Sequence, residues 1–230
     1  IGSNVSEGLS MTFRANTQTP GFDDQLEAFL AQKRESATDV SGVVLSIIGR
    51  IRAEGDKALF DVTKELDGND IDADTIRVSR SEIEEALGAC KSETLDALVL
   101  AADRIRAFHE KQVPCNLEYT DDAGVKLGYR WSPVQAAGLY VPGGTAAYPS
   151  SVLMNALPAK VAGVGRLAMV VPASGGELNP YILAAAHIAG VSEIYRIGGA
   201  QAVAALAYGT ESVAPVNVIV GPGNIYVATS

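Results

Sequence analysis

The sequence predicts an α/β protein: a parallel sheet with helices on both faces, preceded by an N-terminal helical segment and a β-hairpin. Three observations predict it. Residues 134–230 alternate short apolar runs with helix-length segments, and each run ends in glycine or proline. Such near-continuous apolar strands are the pattern of a parallel sheet covered on both sides. Charge is segregated: residues 1–127 hold 14 Lys/Arg and 24 Asp/Glu, whereas residues 128–230 hold only four and three. Between the two parts lie two alternating runs around Asp121-Asp122-Ala123-Gly124, the chemistry of a hairpin tip.

Residues 1–11 are polar and unpatterned, and read as a remnant left by cloning that ends at Met11. Residues 12–115 form the helical segment. Phe22, Leu26, Phe29 and Leu30 have helical spacing, with Asp23 and Asp24 in the first turn where the macrodipole favours anions. Val40, Val43, Val44, Ile47, Ile48 and Ile51 predict a second helix, begun by Thr38 or Asp39 as cap. Gly55 breaks it, and Ala58, Leu59 and Val62 continue in a third piece. Ser79-Arg80-Ser81-Glu82 has capping-box spacing. Leu95, Leu98, Ala102, Ile105 and Phe108 mark a long helix reaching about Gln112. This segment reads as scaffold.

Residues 116–133 carry the hairpin and link to the last part, 134–230. There Ala136–Val141 predicts a strand ending in Pro142-Gly143-Gly144, followed by a helix closing at Gly163. Leu167–Val171 is a second strand, and Pro180–Ala189 a helix closed by Gly190. Glu193–Ile197 is a third strand, opening through Gly198-Gly199 into an alanine-rich helix. Val216–Val220 is a fourth, ending in Gly221-Pro222-Gly223-Asn224.

Right-handed crossovers bring the C-terminal ends of all four strands to one edge, where open α/β sheets bind ligands. The loops there carry Tyr140, Gln201 and Asn224. Glycines let backbone approach a pyrophosphate, and a helix N-terminus stabilises its charge. Gln201 and Asn224 offer neutral donors and acceptors to ribose or carboxamide groups, and Tyr140 an aromatic face with a hydroxyl. These residues are the predicted dinucleotide contacts. The Gly-x-Gly-x-x-Gly fingerprint is absent, and no Asp follows Asp122, so only Glu177 is left to grip the adenosine ribose. No phosphate-binding P-loop ending in Gly-Lys-Ser/Thr occurs.

A net charge of −9 argues against nucleic acid and anionic membranes as partners. No apolar run has membrane-spanning length. Cys90 and Cys115 read as reduced thiols of a cytoplasmic protein, Cys90 in the core and Cys115 unactivated. His109 reads as a helix-terminal residue and His187, among alanines, as a packed one. No catalytic and no metal-ligating residue is expected in this chain.

The runs GLYVPGGTAAYPSSVLMNALPAKVAG (138–163), IYRIGGAQAVAALAYGTESV (194–213) and VGPGNIYVA (220–228) resemble successive blocks of the histidinol dehydrogenases, in the right order and separation. RIRAFHEKQ (104–112) resembles the end of that family's N-terminal helical region. The resemblance implies incomplete Rossmann-like domains, an intertwined homodimer, and NAD-dependent oxidation of L-histidinol to L-histidinal and then to L-histidine, with zinc bound. It implies NAD contacts from Tyr140, Gln201 and Asn224. Family members continue for about as many residues again. That second half supplies the substrate serine, the Gln/His/Asp/His zinc ligands and the Glu–His acid–base pair, so this chain alone is expected to be inactive. The resemblance leaves open a related zinc- and NAD-dependent dehydrogenase of another alcohol, such as a sulfonated diol, and a non-catalytic NAD-binding or dimerisation fragment.

Overall fold

The computed structural model describes residues 16–143 and 148–230. The expected cloning remnant, 1–11, and Gly144 of the first strand-end loop lie outside the described residues. Phe22–Glu54 form one unbroken helix, α1, of 33 residues, where the sequence suggested two. The physical reason lies in residues 31–37, Ala-Gln-Lys-Arg-Glu-Ser-Ala, which hold no glycine or proline and mostly strong helix formers. A cap residue starts a helix only where the preceding one has stopped, so Thr38 and Asp39 are interior to α1.

Gly55 ends α1, its N–H donating to Ile51 O, and its φ of 59° turns the chain into α2, Asp56–Asp67. Helix α3, Arg80–Ala89, opens on the expected capping box: Glu82 N–H donates to Ser79 Oγ, and Ser79 N–H to the Glu82 carboxylate. Helix α4 spans Ser92–Glu110. Strands β1, Leu117–Thr120, and β2, Lys126–Tyr129, form the antiparallel hairpin, and Asp121 Oδ1 accepts N–H bonds from Ala123 and Val125 at its tip.

The second sheet has four parallel strands in the order β5-β4-β3-β6. They are β3 (Ala136–Tyr140), β4 (Arg166–Val170), β5 (Glu193–Tyr195) and β6 (Val218–Val220). Their connecting helices are α5 (Pro149–Val161), α6 (Pro180–Ala189) and α7 (Gly199–Tyr208). Strand alternation sorts the core into two layers. Leu139, Leu167, Met169 and Ile194 face helices α3 to α6. Tyr140, Ala168, Val170 and Tyr195 face α1, α2 and α7. Each large apolar side chain so buried contributes roughly 2 kcal/mol.

Two crossovers through α5 and α6 carry the chain outward on one face, and α7 carries it back on the other. That is the right-handed solution for a doubly wound sheet. Strand order reverses between β3 and β6, which makes the gap beyond their C-terminal ends a topological switch point.

Strands β5 and β6 are each two residues shorter than their apolar runs suggested. Arg196 N–H donates to Ile76 O, and Val216 N–H to Leu206 O, so neither residue joins the parallel ladder. The first of these bonds belongs to a strap: Val78 N–H also donates to Ile194 O, and Arg77 bridges Tyr195. The N-terminal segment thereby covers the outer edge of β5. A short helix not anticipated from the sequence, α8, Ile225–Thr229, follows β6.

Candidate functional site

At the C-terminal edge of the sheet, Tyr140 ends β3 and turns towards α7. Its side chain is buried, and its hydroxyl accepts the Gly199 N–H at 3.0 Å. Gly199 opens α7 with a φ of 61°, a conformation L side chains avoid. A Cβ there would also lie 2.5 Å from Gln201 Oε1. The glycine is therefore required twice, by backbone angle and by the closeness of Gln201.

Gln201, in the first turn of α7, is fully buried. Its Nε2 donates to Asp67 Oδ2 at 3.1 Å, while Oε1 has no hydrogen-bond partner among the described residues. A buried acceptor without a donor costs about 1–3 kcal/mol. The arrangement therefore fits a ligand that brings an N–H or O–H to Oε1.

Asn224 is exposed and caps α8, its Oδ1 accepting from the Tyr226 and Val227 N–H groups at 3.1 and 3.2 Å. Capping alone accounts for an asparagine here. Its Nδ2 has no hydrogen bond among the described residues and stays available as a donor. Gly221, three residues earlier, has a φ of 145°, and a Cβ on it would collide with the Tyr140 carbonyl. The loop after β6 thus runs directly against the end of β3. Tyr140, Gly199 and Gln201 form one connected cluster, while the Asn224 side chain joins it only through this backbone approach.

Asp67 is the residue sequence reasoning missed. It closes α2, where the macrodipole disfavours an anion, and that misplaced charge was the available signal. Burial pushes its carboxyl above the usual aspartate range, with the Gln201 hydrogen bond pulling the other way. Burial also raises the Tyr140 phenol, the Gly199 N–H opposes it, and the Asp67 charge adds to the rise. Beside it, Asn69 is buried and donates from Nδ2 to Arg196 O at 3.3 Å. The N-terminal part, read from sequence as scaffold, therefore supplies the carboxylate of this cluster.

Other singled-out residues lie elsewhere. Glu177 is exposed and lines a groove of about 330 Å³ with Glu82, Glu85, Leu183 and Arg196, between α3 and α6. His187 is exposed on α6, which corrects its reading as a packed residue. Its ring falls on the solvent side of the helix, while Ala184–Ala186 are buried. His109 is half-buried, its Nδ1 sharing a hydrogen bond with Gln112 Oε1 at 2.6 Å. Cys90 packs against the α3–α6 core and Cys115 is exposed. A concavity of about 400 Å³ lies beside His109, Trp131 and Pro133, near the start of β3 and away from the glycine-rich loops. Among the described residues, no three His, Cys, Asp or Glu side chains converge as metal ligands, and no helix is long and apolar enough to cross a membrane.

The chain has clear relatives. The family model described as histidinol dehydrogenase matches residues 30–230. The chain is 57% identical over 220 residues to the histidinol dehydrogenase of Rhodopseudomonas palustris, covering 96% of this chain and 51% of that one. It is 58% identical over 220 residues to that of Rhizobium meliloti, with the same coverage. The crystal structure of histidinol dehydrogenase from Elizabethkingia anophelis superposes with a TM-score of 0.78 at 36% identity, over 82% of this chain and 43% of that one. The chain spans about half the length of the curated relatives it matches. It belongs to the histidinol dehydrogenase family.

Proposed function

We propose that this chain is the NAD-binding part of a cytoplasmic enzyme of histidine biosynthesis, one that oxidises L-histidinol through L-histidinal to L-histidine. The observation that carries the reading is the unpartnered, buried Gln201 Oε1, joined through Gly199 to Tyr140 at the end of the central strand. Family membership supports the substrate.

Bound NAD supplies the hydride acceptor. The protein's own residues bind and orient. Tyr140 holds the Gly199 N–H and so fixes the turn into α7. The first-turn N–H groups of Ala200 and Gln201 would meet the pyrophosphate charge. Gln201 Oε1 would accept a cofactor hydrogen, and Asn224 Nδ2 would donate from the β6 loop. The proton-abstracting groups and the zinc ligands belong to the half of the relatives' length that this chain does not span. The complete protein is proposed to be a homodimer. Exposed Val218, Val220, Ile225 and Tyr226 around β6 support association of the chain itself.

Calorimetric titration with NAD tests the reading. The unsubstituted chain binds, Gln201→Ala weakens binding about tenfold, and histidinol yields no NADH with this polypeptide alone. A second reading, a dimerisation module without a cofactor site of its own, is favoured by the burial of both Tyr140 and Gln201. It predicts that NAD gives no binding heat.

A further inference from the structure

We propose that Asp67 is a positioning residue for the cofactor site: its carboxylate fixes the direction of the Gln201 amide, so that Oε1 and not Nε2 meets the ligand. The inference rests on the NAD-binding reading above. Three observations carry it. A side-chain amide has two nearly isosteric ends, one a donor and one an acceptor. Asp67 Oδ2 takes a hydrogen bond from the Nε2 end at 3.1 Å. The Oε1 end, in a side chain with no solvent exposure, is left without a donor beside Gly199. An ionised carboxylate only accepts, so it discriminates between the two ends absolutely.

The choice of an aspartate is otherwise unfavourable. It stands at the C-terminus of α2, against the macrodipole, half-buried, and no ion pair compensates it among the described residues. Helix α7 contains no lysine, arginine, aspartate, glutamate or histidine. Among the described residues, the Gln201 amide is the α7 side chain that hydrogen-bonds Asp67. Gly199 is half-exposed, and the space of its missing side chain abuts Oε1. That space is the route by which a ligand hydrogen reaches the acceptor. The donor is an N–H or O–H of the cofactor: its carboxamide or a ribose hydroxyl.

The test compares NAD affinity and the Gln201 side-chain amide resonances across variants of the 230-residue chain. Asp67→Leu removes the acceptor while keeping the side-chain branching, Asp67→Ala does so with less steric demand should the leucine variant unfold, and Asp67→Asn keeps an acceptor carbonyl but adds an N–H group that can meet Oε1 instead. Loss of affinity of about tenfold is expected for Leu and Ala, with only partial rescue by Asn. The Gln201 Nε2 resonances shift furthest in Leu and Ala and less in Asn. Adding Asp67→Ala to Gln201→Ala brings no further loss. The analogue 3-acetylpyridine adenine dinucleotide, which lacks the carboxamide N–H, separates the two donors. If the carboxamide is the donor, this analogue loses nothing more on Asp67→Ala; if a ribose hydroxyl is, the full tenfold loss persists. Equal NAD affinity in all Asp67 variants, with Gln201→Ala still weakened, overturns this inference and leaves the NAD reading standing. No binding by the unsubstituted chain overturns both.

Discussion

Asp56 and Ser212, 156 positions apart, are joined twice: the Ser212 backbone N–H donates to Asp56 Oδ1 at 3.2 Å, and its hydroxyl to Oδ2. The neighbouring Glu211 returns the favour, its carboxylate accepting the Asp56 N–H at 2.8 Å. The first turn of α2 and the loop between α7 and β6 thus cap one another, tying the N-terminal helices to the strand that completes the sheet.

Asp56→Ala removes both bonds to Ser212 and leaves a half-buried N–H unpaired. A loss of about 1–3 kcal/mol is expected. Urea unfolding measures it as a lower midpoint with an unchanged slope. Glu211→Gln keeps an acceptor for the Asp56 N–H and costs less.

Glu82 has two jobs, capping α3 at Ser79 and pairing with Arg196 Nη2 at 2.6 Å. The Arg196 side chain is only 13% exposed, so its charge depends on this partner. Glu82→Ala removes cap and pair together and costs about 2 kcal/mol, whereas Glu82→Gln preserves the cap and costs less than half of that. Burial pushes the Glu82 carboxyl up, but hydrogen bonds from Ser79 and Arg196 outweigh it and hold the group below its ordinary 4.5. A lowered carboxyl stabilises the fold above the unfolded value, and the contribution is lost as pH falls through the folded one. Acid unfolding of Glu82→Gln therefore has a shallower pH dependence than that of the parent.

Gly221→Ala forces a side chain into the Tyr140 carbonyl at a φ that L residues rarely adopt. The substitution moves the β6–α8 connection away from β3 and costs more than about 1 kcal/mol. Amide exchange reports it as lost protection at β6, with β4 and β5 unchanged. Uniform loss across all four strands would contradict this local account.

Tyr195 sits at the end of β5, its hydroxyl donating to Glu193 Oε2 at 3.1 Å. Burial, then the Glu193 charge, push its phenol up to about 12. The raised value favours the neutral form in the folded state. The associated stability is complete below the unfolded value of about 10 and declines as pH rises towards 12. Tyr195→Phe flattens that decline in alkaline unfolding curves.

Much of this architecture was legible in the sequence because local chemistry wrote it there. The Ser79 capping box, the hairpin tip at Asp121, and the glycines closing α5 and α6 each act within a few residues. The strands showed as apolar runs because both faces of the sheet are covered. What was hidden depended on distant partners. Val216 and Ile197 read as strand residues, but hydrogen bonds from Val216 and Arg196 to other elements end the ladder early. Helix α8 has five residues, too few for a periodic signal. Of the candidate site, Tyr140 and Gln201 were singled out from their places beyond strand ends, and they meet in one cluster through Gly199. Their burial was not legible, because it comes from α1 and α2 folding over them. Asp67 escaped for the same reason: its meaning lies in a residue 134 positions away.

The reversal of strand order also governs how the molecule is born. Strands β3, β4 and β5 can line up one after another as they leave the ribosome, but β6 must return to the far flank of β3. Until Val218 emerges, that flank presents open N–H and C=O groups to any neighbouring nascent chain. Translation stalled just upstream of Val218 accordingly leaves a polypeptide prone to cross-pairing along β3, and the arrival of Val218–Val220 moves the open edge from β3 to β6.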